Sequence, residues 1–235
     1  MVKLRNVIFI IAAIIIVDQV LKIWIKTNYG YGDTAITGPV INGVPTGIEW
    51  FRIHFIENKG MAWGWEFGGD WGKMILTLFR MVAVIFGTWY IVKITKADKQ
   101  HSRGFIICAA LIYAGALGNL IDSMFYGLIF SNSDYGLVAS AFPGGGGYAG
   151  FLHGKVVDML YFPIIKDAQF PSWFPFIGGD KFEFFSPIFN IADASISIGV
   201  ITLLLFQKRF FKKHNEDKHP VAETNAEISD KVQVL

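Results

Sequence analysis

Four apolar runs, at about 7–25, 74–94, 104–124 and 188–206, constrain this chain more than any other feature. Each, wound as a helix, is long enough to cross roughly 30 Å of hydrocarbon. A buried soluble core also raises apolar content, so composition decides the reading. Hydrophobic residues make up 53% of the 235 positions and charged residues only 17%, and mean hydropathy is +0.43. A soluble domain of this size rarely combines these values, so the runs are read as membrane spans. Lys3 and Arg5 ahead of the first run resemble the basic start of a secretory signal, but no small-x-small cleavage site follows. Asp18, Gln19 and Lys22 instead continue the helical stretch, and the run is read as a retained span.

Basic residues set the expected orientation. Lys3 and Arg5 precede span one, Lys93, Lys96, Lys99 and Arg103 lie between spans two and three, and Lys208, Arg209, Lys212 and Lys213 follow span four. All three clusters are expected on the cytoplasmic side, with both termini inside. Outer segments at about 26–73 and 125–187 remain, rich in glycine and aromatics. The expected fold is an all-α membrane protein: four transmembrane helices with a small extracytoplasmic β-sheet and loop region on the outer membrane face. A four-span membrane domain covers 1–213, and the polar stretch 214–235 reads as a disordered cytoplasmic tail. In the first outer segment, Ile48, Trp50, Ile53 and Phe55 partly alternate with polar residues before the turn-prone Asn58-Lys59-Gly60, which predicts the sheet. Pro171, Trp173, Phe174 and Pro175 suit loops at the interface. The single cysteine, Cys108, excludes an intrachain disulfide and reads as a small apolar filler. The net charge of +2 is attributed to membrane topology, and no nucleic-acid partner is expected.

Ionisable groups inside spans cost roughly 3 kcal/mol or more at a helix centre, so each calls for a partner or a function. Asp18 and Lys22 stand four apart on one face of span one, as a structural ion pair or a functional one. In span three, Ala110, Ala114 and Gly118 form a small-residue ridge for close helix approach, followed by Asn119 and Asp122 one turn apart. Span four is expected to begin at Ser186-Pro187, an N-cap followed by a first-turn proline. Asn190, Asp193 and Ser197 then share a face, with Asp193 about two turns into the helix. Asp158 sits in the apolar run Val156-Val157-Asp158-Met159. Together with Asn58, these polar residues come from separate segments, yet the topology brings all of them to the outer membrane face.

The motifs Asp18-Gln19-x-x-Lys22, Asn58-x-Gly60-x-Ala62-Trp63-Gly64, Gly115-Ala116-Leu117-Gly118-Asn119-Leu120-Ile121-Asp122, Val156-Val157-Asp158 and Phe189-Asn190-x-Ala192-Asp193 stand in this order. They resemble the ordered motifs of lipoprotein signal peptidases, also called signal peptidase II. That resemblance implies a bacterial inner-membrane aspartic endopeptidase that removes the signal peptide of diacylglyceryl-modified prolipoproteins just before the lipidated cysteine. It implies a catalytic pair at Asp158 and Asp193, with Asp18, Lys22, Asn58, Gly60, Gly115, Gly118, Asn119, Asp122, Asn190 and Ala192 supporting the site or contacting substrate. It further implies no cofactor or metal, contact with membrane lipids, sensitivity to globomycin-type inhibitors and a monomer. Two departures stand out. Ser123 occupies the place where the family motif continues with arginine, and Arg80 in span two is the candidate to replace it. Asp122 and Asp158 are also 36 positions apart, longer than the family's connection, so the glycine-rich stretch near Gly144 reads as an inserted loop that caps the site or binds a partner.

Two carboxyl groups suffice to hydrolyse a peptide bond: one takes a proton from water while the other polarises and protonates the substrate. Held close in a low-dielectric place, they share one proton and so offer an acid and a base together. The sequence has no His-Glu-x-x-His, no zinc-spaced His/Cys cluster, no Gly-x-Ser-x-Gly and no phosphate-binding glycine motif. His153 is assigned a loop role. Other classes compatible with intramembrane acids are a small proton-coupled transporter, which predicts acids at staggered depths, and a non-catalytic lipoprotein-binding relative.

Overall fold

A computed structural model describes residues 2–36, 40–41, 44–45, 50–58, 69–96, 101–163, 165–175, 178–184 and 187–211. The sequence expectations for Gly60, for the Ser186 cap and for the tail 214–235 fall outside these residues. Among the described residues, three helices are long and apolar enough to cross a membrane: α1 (Leu4–Asn28), α2 (Gly69–Lys96) and α3 (Arg103–Ile121), the last prolonged by a π-helical turn (Asp122–Tyr126) and α4 (Gly127–Ile129). The fourth apolar helix, α5 (Ile191–Leu205), has 15 residues and is followed by the short α6 (Gln207–Phe211). Their lipid-compatible faces are plain in the exposure of Phe9, Ile16 and Val20 on α1, Phe79, Val82 and Phe86 on α2, and Ile198, Ile201 and Leu205 on α5. Such extensive apolar exposure is unfavourable in water and normal against acyl chains.

The expected start of span four is corrected. Ile188–Phe189 is a short strand, β8, and the helix begins only at Ile191. Asn190 is the N-cap: it has an extended backbone (φ −120°, ψ −179°), its carboxamide accepts the Asp193 N–H, and the Asp193 carboxylate accepts the Asn190 N–H. This reciprocal box satisfies two donors that a helix start otherwise leaves open. Asp193 therefore lies in the first helical turn rather than two turns in. Pro187 precedes the strand instead of opening the helix.

At this same end of the bundle lies a four-stranded antiparallel sheet in the order β1 (Thr34–Ile36), β4 (Arg52–Asn58), β5 (Val156–Tyr161), β8. Trp50 lies ahead of β4, whose described start is Arg52, later than the alternation suggests. Two hairpins accompany the sheet, β2 (Val40–Ile41) with β3 (Val44–Pro45) and β6 (Ile165–Gln169) with β7 (Lys181–Phe184). The second of these flanks the stretch read from sequence as interfacial loop. Val157 and Met159 are buried with Ile25, Phe55, Tyr126 and Phe130, so the sheet packs on the ends of α1 and α3. A separate cluster of Val7, Ile91, Ile94, Phe105, Ile106 and Ala110 closes the opposite end.

The insertion between α4 and β5 folds back against the helix ends. Phe130 bridges Ala141, Val138 bridges Gly30, and Tyr135 bridges Tyr31 beyond α1. Gly154 N–H donates to the Ser123 carbonyl at 2.9 Å and Leu152 N–H to Met124 at 3.3 Å, so carbonyls of the widened π-turn are satisfied from the insertion. No side chain at 154 fits this approach, since a Cβ there would stand 2.0 Å from the Asp122 carbonyl oxygen.

Close contact between α3 and α5 brings Asn119 near Asp193. A Cβ on Gly115 would lie 2.2 Å from the Ala192 carbonyl oxygen, and Ser195 Oγ donates to the Leu111 carbonyl at 2.7 Å. The obstacle is backbone, which does not step aside as a flexible side chain does. Gly115→Ala should therefore push α5 away and cost about 1–3 kcal/mol. Thermal unfolding in detergent checks this, with Gly144→Ala as the control, because a Cβ at that position meets nothing within 4 Å and should leave the midpoint in place.

Candidate active site

Lys22 projects from α1 into the interior with no solvent exposure. Its ammonium lies 2.8 Å from Asp18 Oδ2 and 2.8 Å from Asp122 Oδ2, and donates to Asn119 Oδ1 at 2.9 Å. Three donors thus meet three acceptors, which is what allows the charge to be buried. The Asp18–Lys22 pair serves more than its own helix. Asp18 Oδ1 accepts the Ala192 N–H at 2.9 Å, so a carboxylate of α1 caps the positive end of α5. Gly118 makes room for it, since a Cβ there would lie 2.9 Å from Asp18 Oδ2.

Asp122 ties a second element to this charge. Its Oδ2 accepts the Val157 N–H at 3.4 Å, next to Asp158 on β5, while its Oδ1 accepts from Gln19 Nε2 at 2.8 Å. Gln19 also accepts from the Tyr126 hydroxyl at 3.1 Å. The first motif contains Gln19, yet its site role is not legible there: an amide near the end of a helix carries no signal of what it will reach.

The two acids of interest meet through carboxamides. Asn190 Nδ2 donates to Asp158 Oδ1 at 2.7 Å, with Asn119 Oδ1 at 3.1 Å and the Val157 carbonyl at 3.2 Å also within reach. Asn119 Nδ2 donates to Asp193 Oδ1 at 2.7 Å. Asp158 and Asp193 are therefore joined by a chain of two amides, Asn190 and Asn119, whose oxygens and nitrogens are fixed at both ends. Asp158 is 3% exposed. Burial first, and then the nearby Asp193 charge, push its carboxyl up to about 7, against smaller opposing effects from Lys22 and the Asn190 hydrogen bond.

Of the other expected site residues, Asn58 ends β4 opposite Val156, while Ile56 pairs with Asp158; strand alternation puts Asn58 on the face that carries Asp158. Ala192 is fully buried, and Gly115 and Gly118 form the α3 surface that receives it and Asp18. Ser123 is buried, donates to the Asn119 carbonyl at 2.9 Å, and accepts from Arg80 Nη1 at 3.2 Å. Arg80 thus comes to the position where the motif lacks its arginine, within range of the charges of Asp193, Asp122 and Asp158. His153 stays in the insertion, its Nδ1 2.9 Å from the Phe151 carbonyl.

Sequence reasoning missed a second polar cluster. Lys26 is buried and pairs with Glu57 on β4, donates to Ser133 Oγ at 2.8 Å, and lies 5.0 Å from the Tyr148 ring. One turn beyond Lys22, it marks the same face of α1, and that spacing is the signal that could have found it. The insertion is pinned to the bundle by this ammonium. Among the described residues no His/Cys/Asp/Glu group has the arrangement to hold a metal ion.

The fold and this array are those of a membrane enzyme. A solved bacterial membrane enzyme, determined in meso at 2.3 Å resolution, superposes with a TM-score of 0.53 at 25% identity, covering 92% of this chain and 94% of that one. A second, at 1.9 Å resolution, gives 0.51 at 27% identity, covering 86% and 92%. Residues 10–209 match the family described as Signal peptidase (SPase) II. The lipoprotein signal peptidase of Porphyromonas gingivalis is 45% identical over 221 residues, 94% of this chain and 91% of that protein. That of Amoebophilus asiaticus is 33% identical over 218 residues, covering 91% and 82%. The chain belongs to the signal peptidase II family, and is a bacterial multi-pass membrane peptidase.

Lys22→Met leaves Asp18 and Asp122 buried without their cation, and should destabilise the protein by about 3–5 kcal/mol. Thermal or denaturant unfolding in detergent reads this directly. Asp158 gives a pH signature. Between the ordinary carboxylate value of about 4 and its folded value of about 7, the folded chain holds a proton that the unfolded chain releases. Stability from this group is therefore full below about 4 and is lost as pH rises to about 7. Asp158→Asn should flatten that part of the dependence of unfolding midpoint on pH.

Proposed function

We propose that this chain is an aspartic endopeptidase which cleaves the signal peptide from diacylglyceryl-modified prolipoproteins just before the lipidated cysteine, with Asp158 and Asp193 as its catalytic pair. The observation that carries the reading is the amide chain: acids from a strand and a helix start, 35 positions apart in sequence, are held by Asn190 and Asn119 with one another's charge in range. Family membership supplies the reaction and the substrate class, since the relatives are lipoprotein signal peptidases.

Asp158 keeps its proton near neutrality and donates it to the scissile carbonyl, while Asp193 accepts a proton from the attacking water. Proton uptake and release balance over the cycle, because the amine leaves with the proton that water supplied. Asn190 holds Asp158 and, through its oxygen and the Asp193 N–H, the backbone beneath Asp193. Arg80, bonded to Ser123, places positive charge beside the pair and suits an oxyanion or a substrate carbonyl.

In this reading α5 is the fourth crossing. At about 22 Å it is short for a bilayer, and α6 extends the same segment to about 30 Å. Both termini are cytoplasmic and the sheet end faces outward, as the basic clusters indicate. The signal helix and lipid chains then reach the pair by lateral diffusion, and globomycin-type inhibitors compete there. The enzyme works as a monomer. A proton relay is less well supported, because Asp18, Asp122, Asp158 and Asp193 are gathered around Lys22, Asn119, Asn190 and the Val157 N–H in one hydrogen-bonded network instead of being spaced along the spans.

Asp158→Asn and Asp193→Asn should each lower cleavage of a fluorescent diacylglyceryl peptide by at least about a hundred-fold, with peptide binding retained. Wild-type turnover by either variant removes the pair from the mechanism.

A further inference from the structure

A cavity of about 700 Å³ lies against the insertion, lined by Lys73, Asn132, Tyr148, Gly150, His153 and Lys155. Among the described residues, one carboxylate, Glu57, pairs with the lysines on one side of this cavity. Glu57 answers two ammonium groups at once, Lys26 and Lys155, the latter at 3.1 Å, so this group of three carries a net positive charge. Lys155 remains 25% exposed, with Asn132 Oδ1 3.4 Å away and the Tyr148 ring beneath it at 5.2 Å. Open space faces Gly150, where a Cβ would meet nothing within 4 Å.

The cavity is also at a defined distance from the chemistry. Lys155 precedes Asp158 by three residues leading into β5, about 10 Å of extended chain. On the other wall, Lys73, Thr77 and Arg80 follow one another at helical spacing on α2, so Lys73 is again about 10 Å from Arg80 and lies nearer the helix start. Thr77 is buried and donates to the Leu152 carbonyl at 3.2 Å, which joins this stripe to the insertion. Of the two halves of a lipoprotein precursor, the signal helix stays in the bilayer and only the segment beyond the cut leaves it. A length of about 10 Å along either element corresponds to about three extended residues beyond the scissile bond.

Resting on the proteolytic reading above, the geometry points to this cavity as a subsite for acidic side chains at the second to fourth positions beyond the cut. The lining favours a carboxylate on a hydrated peptide over a lipid phosphate, because lysine, asparagine, tyrosine and histidine surround the space and, among the described residues, no broad apolar wall lines it for acyl chains. The subsite selects substrate and takes no part in bond cleavage.

The test uses the full-length enzyme and two diacylglyceryl peptides that differ only in carrying Asp or Asn at those positions. The Asp peptide should be cleaved with a kcat/KM about five-fold or more above the Asn peptide at low salt, a ratio that shrinks as salt rises. Lys155→Gln and, in a separate variant that leaves the Glu57 pair intact, His153→Gln should bring the ratio toward one. Lys155→Glu should turn it in favour of a Lys-bearing peptide. Equal cleavage of both peptides by the unaltered enzyme overturns the subsite and leaves the protease standing; cleavage of neither overturns the proteolytic reading, and the subsite with it. A ratio set by the phosphatidylglycerol content of the vesicles and not by peptide sequence assigns the cavity to lipid and also overturns the proposal.

Discussion

Lys22 carries its charge to a place without solvent, and each partner it gathers there controls a different segment. Asp18 is its own helix neighbour and also caps α5; Asp122 closes α3 and holds the β5 backbone; Asn119 touches the ammonium with its oxygen and Asp193 with its nitrogen. An ion buried in this way is costly unless every bond is made. The arrangement has little freedom for that reason. Shifting α5 breaks the Asp18 cap, shifting β5 breaks the Asp122 contact, and either strands a charge. The positions of both proposed catalytic acids are consequences of the need to satisfy one lysine.

Two chemically identical carboxyls acquire different surroundings from this scaffold. Asp158 stands on a buried strand in the middle of a sheet, with the Asn190 amide as a donor, and burial raises its pKa. Asp193 sits in the first turn of α5, where helix geometry offers peptide N–H groups and the dipole favours negative charge. A strand and a helix start thus give the two proposed catalytic carboxyls different hydrogen-bond surroundings. The amides between them fix separation without adding a charge that would collapse the difference.

Much of this is legible in the residues, and the limits are physical. Long apolar runs point to the helices and their order, because the hydrocarbon width constrains length directly. Asp18, Lys22, Asn119, Asp122, Asp158, Asn190 and Asp193 stand out as a group through motif order and through the cost of burying polar atoms, and the structure does bring them together. The beginning of α5 is not legible in the same way, because Ser-Pro is a strong local start signal; pairing of Ile188 and Phe189 with β5 overrides it and moves the cap to Asn190. Lys26 carries a local signal in its spacing from Lys22, but Glu57 and Ser133 escape notice since their pairing with it spans three segments. Arg80 is visible in sequence only as a candidate, and its contact with Ser123 depends on how α2 meets the π-turn.

The insertion explains how such a chain differs from a minimal bundle. It brings Lys155, Tyr148 and Ser133 to the α1 end, and its carbonyl-satisfying contacts to Ser123 and Met124 support the widened turn that presents Asp122. Lys26 is to the insertion what Lys22 is to the acids: a buried ammonium one turn farther along the same helix, with Glu57 as its counter-charge. The two lysines form consecutive layers, one holding the proposed reacting groups and the next holding the wall around them. Since Glu57 is shared with Lys155, the wall is tied to the electrostatics of the cavity, and a change in charge there is felt through β4 at the strand that carries Asp158. The proposed subsite and the strand that carries Asp158 are in this way linked through β4.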